Sequence, residues 1–251
     1  MTVPPLFLVD ALPADDHTVL RGPEGRHAAT VRRMRPGETL LLSDGRGGLA
    51  DCVVDDPPGR DMPARDALPL RVLGRSRVSP PRPRVVVAQA LVKGERGELA
   101  VELATEAGAD RFVPWRASRC VARWDDGPRA AKALARWRGT VREAAKQARR
   151  AWVPDVTEPV NTDGLAKLIS AGDGAVVLDG AAGTRLADVP LPGGGDLLLV
   201  VGPEGGITDQ ELADLTAAGA RLVRLGPTVL RASTAAAVAL GALGVLTPRW
   251  P

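Results

Sequence analysis

Three short runs of nearly unbroken aliphatic residues set the tightest limit on this fold: RVVVAQAL (Arg84 to Leu91), AVVLDG (Ala175 to Gly180) and DLLLVVG (Asp196 to Gly202). A strand that alternates apolar and polar residues covers a core on one face only. A continuous apolar run is buried on both faces, as in a parallel sheet clad by helices. Helical stretches separate the runs, at about Glu95 to Ala107, Pro128 to Ala151, Thr162 to Ala171, Asp209 to Ala218 and Ser233 to Leu246. Two further strands are RFVPW and RLVRLG (Arg221 to Gly226). This alternation predicts an open, mostly parallel α/β sheet.

The pattern differs before VSPPRP (Val78 to Pro83), whose three prolines suit a linker. There ETLLLSDGRGG, ADCVVDD and LPLRVLGRSRV read as short strands, with Asp44-Gly45 as a turn. A small β-barrel with one short helix around Gly25 to Met34 is expected, in a domain over 1–77 followed by a second over 78–251. Aromatic residues are only 3 %, so stacking platforms for bases are scarce. Cys52 and Cys120 form neither a disulfide framework nor a metal pattern, so no metal is expected. The opening MTVPPLFLVDALPADD has no basic start and no apolar run of signal length, and no stretch reaches membrane-span length; a cytoplasmic protein is expected.

Three strands run into glycine-rich turns: LDGAAG from Leu178, VGPEGGIT from Val201 and LGPTVLR from Leu225. In open parallel sheets ligands bind beyond the carboxyl ends of the strands, and glycine lets the backbone approach them. Gly202-Pro203-Glu204-Gly205-Gly206 is neither a Walker loop nor a dinucleotide fingerprint. That disfavours nucleoside triphosphates and a Rossmann-type oxidoreductase. The loop could equally be a plain tight turn. Thr208 and Glu211 have the spacing of a capping box, which starts the next helix.

The chain carries a formal net charge of +3 and a pI near 9.3, and its positive charge is uneven. Arg129 to Arg150 holds eight bases, namely Arg129, Lys132, Arg136, Arg138, Arg142, Lys146, Arg149 and Arg150, against Glu143 alone. At about 100° per residue, Leu134, Trp137, Val141, Ala145, Ala148 and Trp152 share one face and the bases fan over the other. Such a helix either shows solvent a charged face or grips nucleic acid; the shortage of acidic partners favours the latter. Arg21, Arg26, Arg32, Arg33 and Arg35 form a second basic region. The only histidines, His17 and His27, lie in the small domain, which disfavours a Ser-His-Asp or Cys-His system.

GPEGGITDQEL followed by LGPTVLRASTAAAVALGAL resembles the signature of the RsmE family in the SPOUT methyltransferase superfamily. Three further blocks resemble that family in order: Lys93-Gly94 with Glu106 and Gly108; Arg136-Trp137 with Glu143, Ala144, Ala145, Gln147 and Arg150; and His27, Val31-Arg32, Gly37, Asp44-Gly45 and Gly47. The chain departs from the family at Ser233, where an acidic residue is usual, at Leu103 in place of a common lysine, and at Phe7, the remnant of an Arg-Phe-Phe opening.

The resemblance implies a PUA-like barrel before a trefoil-knotted SPOUT domain, S-adenosylmethionine as cofactor, and methylation at N3 of a uridine in 16S ribosomal RNA. The partners it implies are that RNA or the small ribosomal subunit, and a second copy of the chain meeting it at the last helix. The cofactor residues it implies are Leu178, Asp179, Gly180, Val201, Gly202, Pro203, Glu204, Gly205, Gly206, Leu225, Gly226 and Leu230. RNA contacts are expected at Arg32, Lys93, Arg119, Arg138, Arg142, Arg149 and Arg150. Arg231 is the candidate catalytic residue, holding an anionic uracil or a phosphate, unless it forms a salt bridge within the domain. A non-catalytic RNA-binding or ribosome-assembly factor is the alternative that Ser233 keeps open.

Overall fold

The computed structural model describes residues 4–56, 66–125 and 127–250. The chain forms two compact units: Met1–Pro80 with Ala145–Val153, and Pro81–Ala144 with Pro154–Pro251.

The first unit holds strands β1 (Leu6–Leu8), β2 (His17–Leu20), β3 (Thr39–Ser43), β4 (Gly48–Val54) and β5 (Leu68–Arg77), in the order β1-β3-β4-β5-β2. β1 runs parallel to β3 and the other pairs are antiparallel. β1 and β2 are the edges, so no ladder closes the sheet into a continuous barrel among the described residues. Helix α1 (Gly22–Arg26) and a π-turn over His27–Val31 supply the expected short helix. Phe7, Leu40, Leu42, Ala50, Cys52 and Leu70 pack the core.

Residues 145–153 belong to this unit because the basic helix ends sooner than the sequence indicates. Helix α3 spans Pro128–Gln147 rather than reaching Ala151. Arg149 turns left-handed, with φ +53°, and Arg150 N–H donates to the Ala145 carbonyl, a Schellman-type closure. Trp152 therefore leaves the helical face. Its Nε1 donates to the Val78 carbonyl at 3.0 Å. A Cβ on Gly47, at φ +92°, would strike the Trp152 ring, which is why the β3–β4 turn carries glycine there.

The second unit is the parallel sheet. Its strands are β6 (Arg84–Ala90), β7 (Arg111–Trp115), β8 (Asp155–Val156), β9 (Gly174–Leu178), β10 (Asp196–Val201) and β11 (Arg221–Val223), ordered β11-β9-β10-β6-β7-β8. Every pairing is parallel. β6 and β10 are buried from Val85 to Ala90 and from Leu197 to Val201, as their aliphatic composition requires. Helices α2 (Arg96–Glu106), α4 (Thr162–Ala171), α5 (Asp209–Ala217) and α6 (Ala232–Leu246), with residues 128–144 of α3, complete the unit. Since β11 lies outside β9, the connection from β10 through α5 passes over β9. From β11 the chain returns to lay α6 on α2, β6 and β10, the route that the knotted arrangement implied by the resemblance calls for. No helix among the described residues is long and apolar enough to cross a membrane.

The end of α6 is clamped by Arg249. This guanidinium, 5 % exposed, pairs with Asp110 at 2.6 Å and also donates to the Pro83 and Gly108 carbonyls. Cutting one partner from a buried pair strands the other charge. Arg249→Ala is expected to cost about 3–5 kcal/mol, read as a lower denaturation midpoint in urea; a midpoint equal to wild type would show that the clamp does not hold α6.

Candidate functional site

The carboxyl ends of β9, β10 and β11 open into one cleft of about 510 Å³. Eleven of the twelve cofactor residues expected from sequence line it: Leu178, Asp179 and Gly180 from the first loop, Val201 to Glu204 and Gly206 from the second, and Leu225, Gly226 and Leu230 from the third. Gly205 does not. A Cβ there would face Arg119, 3.2 Å from its Cβ, on the outer side of the loop. The cleft also takes in Ile207, Thr228 and Val229 from the same turns, and residues outside them that strand-end reasoning passed over: Val92 and Arg96 after β6, Leu212, Val223, Arg224, Ala232, Ser233 and Ala235. A run-by-run reading of the sequence does not show which loops from β6 and α6 come to the same mouth.

Two glycines shape this wall in opposite ways. A Cβ on Gly202 would meet Ile207 Cγ1 at 2.6 Å, so that glycine lets the loop fold on itself. A Cβ on Gly180 or Gly226 would meet no protein atom within 4 Å, although both line the cleft. At those positions glycine leaves room for whatever occupies the cleft.

One carboxylate holds the second loop in shape. Glu211 is 3 % exposed. Its Oε2 accepts from Thr208 N and Oγ1, at 3.1 and 2.8 Å, completing the capping box on α5. Its Oε1 accepts from Ser118 N and Oγ, at 2.8 and 3.1 Å, and from Thr162 Oγ1 at 3.0 Å. Trp115 Nε1 in turn donates to Thr162 Oγ1. Burial pushes the Glu211 pKa up, but the hydrogen bonds from Ser118, Thr208 and Thr162 outweigh it and hold it below the ordinary 4.5. The sequence identified Glu211 as a cap; its three-way bridge depends on residues far away in the chain.

Arg231 lines the cleft, is exposed and caps α6 through its backbone carbonyl. Among the described residues no carboxylate lies within ion-pair distance of it, so the salt bridge that stood as the alternative to a catalytic role does not form there. Ser233 is buried at 4 % and also lines the cleft.

The bases expected to meet RNA fall into two groups. Arg138 is engaged, donating to the Val156 carbonyl and pairing with Glu158 at 3.0 Å, and Arg136 pairs with Glu98. Lys146 pairs with Glu24 at 2.9 Å. Acidic partners absent from the helix itself thus arrive from elsewhere in the fold. Arg119 donates to the Gly205 carbonyl at 3.1 Å. Arg32, Lys93, Arg142 and Arg149 are exposed, and Arg150 is half-buried. His17 pairs with Asp55, apart from the cleft.

The RNA methyltransferase domain family matches residues 79–244, and the RNA methyltransferase PUA domain family matches residues 20–61. Ribosomal RNA small subunit methyltransferase E of Mycobacterium bovis is 56 % identical over 250 residues, covering 98 % of this chain and 93 % of that protein. The chain belongs to the ribosomal RNA small subunit methyltransferase E family. The fold agrees with that family's: the Neisseria gonorrhoeae enzyme bound to S-adenosyl methionine matches with a TM-score of 0.82 at 24 % identity, over 98 % of both chains. A Legionella pneumophila protein assigned as a methyltransferase, with bound cofactor SAM, matches with a TM-score of 0.81 at 27 % identity, again over 98 % of both chains. Among the described residues there is no cluster of three or more metal-ligating side chains.

The Glu211 bridge predicts an acid-sensitive loop. Because its native pKa is depressed, its stabilisation is complete above pH 4.5 and is lost as pH falls through the lower native value. Glu211→Gln should cost roughly 3 kcal/mol at neutral pH by turning acceptors into mismatched donors. It should also flatten the fall in urea midpoint between about pH 5 and 3. A variant with the wild-type acid profile would remove Glu211 from this role.

Proposed function

We propose that this chain is an S-adenosylmethionine-dependent methyltransferase of small-subunit ribosomal RNA and that its target is N3 of a uridine in 16S RNA. The observation that carries this reading is the single cleft formed by three strand-end loops, open at Gly180 and Gly226 and bordered by an unpaired Arg231, in a chain of this family. The residues present fit the cofactor. Leu178 and Leu225 offer apolar surface to an adenine ring, and the two glycines leave the backbone bare. When bound, the cofactor supplies a methyl group on a sulfonium, ready for an in-line acceptor lone pair.

This chain's own residues then orient and polarise. Uracil N3 carries a proton at neutral pH, so transfer requires that the ring become anionic or nearly so. The planar Arg231 guanidinium can hold the developing negative oxygen in a fixed fork of donors. Lys93, Arg119 and Arg142 are the cations of the second unit proposed to hold RNA; Arg138 contributes less, because its guanidinium is already engaged. Arg32, Arg149 and Arg150 serve the same end in the first unit. We also place a homodimer contact on α6. Ala235, Ala236, Ala239 and Gly244 are buried within their own unit, so the partner would meet Val238, Val245, Leu246 and Trp250, which are exposed.

Two substitutions test the cleft. Gly226→Val adds a branched side chain where no protein atom is met, so the fold should survive while S-adenosylmethionine affinity, measured by calorimetry, drops at least tenfold. Unchanged affinity would move the cofactor elsewhere. Arg231→Lys should keep cofactor affinity yet slow single-turnover methylation by roughly 10²-fold, the usual loss for one preorganised donor. A normal rate would end the catalytic role of Arg231, and a wild-type chain that binds RNA but transfers no methyl would be an RNA-binding factor instead.

A further inference from the structure

Within the first unit lies a second pocket, of about 40 Å³, whose wall includes Phe7, His27, Arg32, Lys146 and Arg149. Beside Pro5, Leu6 and Phe7, two chain segments more than a hundred residues apart in sequence build it. One is the π-turn, which begins at His27 and is closed by Arg32, whose N–H donates to the His27 carbonyl. The other is the last turn of α3 with its left-handed exit. His27 is steadied by the Phe7 ring, edge-on at 5.7 Å between centroids. Lys146 is 7 % exposed and is tied to Glu24 Oε1. Glu24 Oε2, also buried, has no hydrogen-bond partner among the described residues. Glu24 is not part of the pocket wall, which presents three cations, an imidazole and no carboxylate.

Glu24 already neutralises Lys146, and the two arginines left around so small a polar space repel one another unless an anion joins them. The space holds a few water-sized groups, the bulk of a tetrahedral oxyanion and short of a nucleobase. Arg149 adds a second argument. Its backbone sits at φ +53°, a helix-exit conformation that glycine adopts without strain and arginine does not. The chain bears that strain while placing a guanidinium at the pocket rim.

We propose that this pocket holds one phosphate group of the RNA backbone, gripped jointly by Arg32 and Arg149 over the buried ammonium of Lys146, with His27 as a further donor. The proposal rests on the reading of the chain as an RNA methyltransferase. It goes beyond scattered basic contacts by assigning two exposed arginines and a buried lysine to a single phosphate.

The test uses the full chain. The ring signals of the two histidines are followed by NMR while sodium phosphate, and separately a 16S RNA fragment, is added. Both additions should shift His27 and leave His17 in place, and Arg149→Gly with Arg32→Gln should abolish both shifts. A shift with inorganic phosphate but none with RNA would overturn the RNA assignment, and no shift with either would overturn the site. The salt dependence of RNA binding adds a second readout. Because one phosphate is shared, each single variant and the double variant should lose the same amount, about one unit, from the slope of log K against log salt. A loss near two units in the double variant would mean two separate contacts and would refute the shared site. Arg149→Gly should melt no lower than wild type, since glycine suits that backbone, so weakened binding cannot be blamed on unfolding. Cofactor affinity of the wild-type chain is measured alongside: if it binds S-adenosylmethionine and methylates RNA while the His27 shifts are missing, the phosphate site fails and the methyltransferase reading stands.

Discussion

The cleft depends on a buried carboxylate that has no cationic partner in its immediate set of hydrogen bonds. Glu211 accepts five of them, from Thr208, Ser118 and Thr162. An ionised group removed from water is tolerated when each lone pair is met. The same five bonds tie the start of α5, the loop after β7 and the start of α4 to one point. The loop from Gly202 to Thr208 leaves β10 immediately before this anchor, so its glycines turn against a fixed end. Gly202, which can bear no Cβ because Ile207 lies over it, completes the constraint from the other side. A cleft walled largely by backbone needs such support, since it has few side chains to interlock.

Arginine serves two purposes here, and engagement with protein partners separates them. Arg249 is buried against Asp110, the Pro83 carbonyl and the Gly108 carbonyl, and Arg138 is spent on Val156 and Glu158. These guanidinia satisfy carbonyls and carboxylates that the fold leaves over. Arg231, Arg142 and Arg149 are exposed instead. The second set is the one proposed to meet RNA, because a cation already neutralised by a neighbour gains less from a phosphate. The small number of aromatic residues fits this division: with few rings to stack on bases, affinity for RNA must come mainly from charge and shape.

Much of this protein is legible in one dimension. The aliphatic runs at β6, β9 and β10 can only be strands covered on both faces, because their side chains have no polar alternation to offer water. Thr208 and Glu211 mark the start of α5 by their spacing alone. Glycine turns after three strands in a parallel sheet place a ligand site at their carboxyl ends, and two of those turns carry part of the family resemblance. Each of these features depends on residues close together in the chain.

Tertiary structure decided the rest, for the same reason in each case: the deciding partner lies far off in sequence. The basic helix stops at Gln147 because Arg149 turns left-handed and Trp152 docks on Gly47 and Val78, which its helical periodicity cannot foresee. Gly205 belongs to the right motif, yet its open side faces Arg119 rather than the cleft. Arg138 reads as a free cation until Glu158 and the Val156 carbonyl fold against it. The sequence by itself determined which segments are strands and helices and which turns end strands at a common cleft, since hydrophobic period and local hydrogen bonding are written in neighbouring residues. Only the folded chain decided which charges stay free and which glycines border open space, because both depend on distant atoms brought to within a few ångströms.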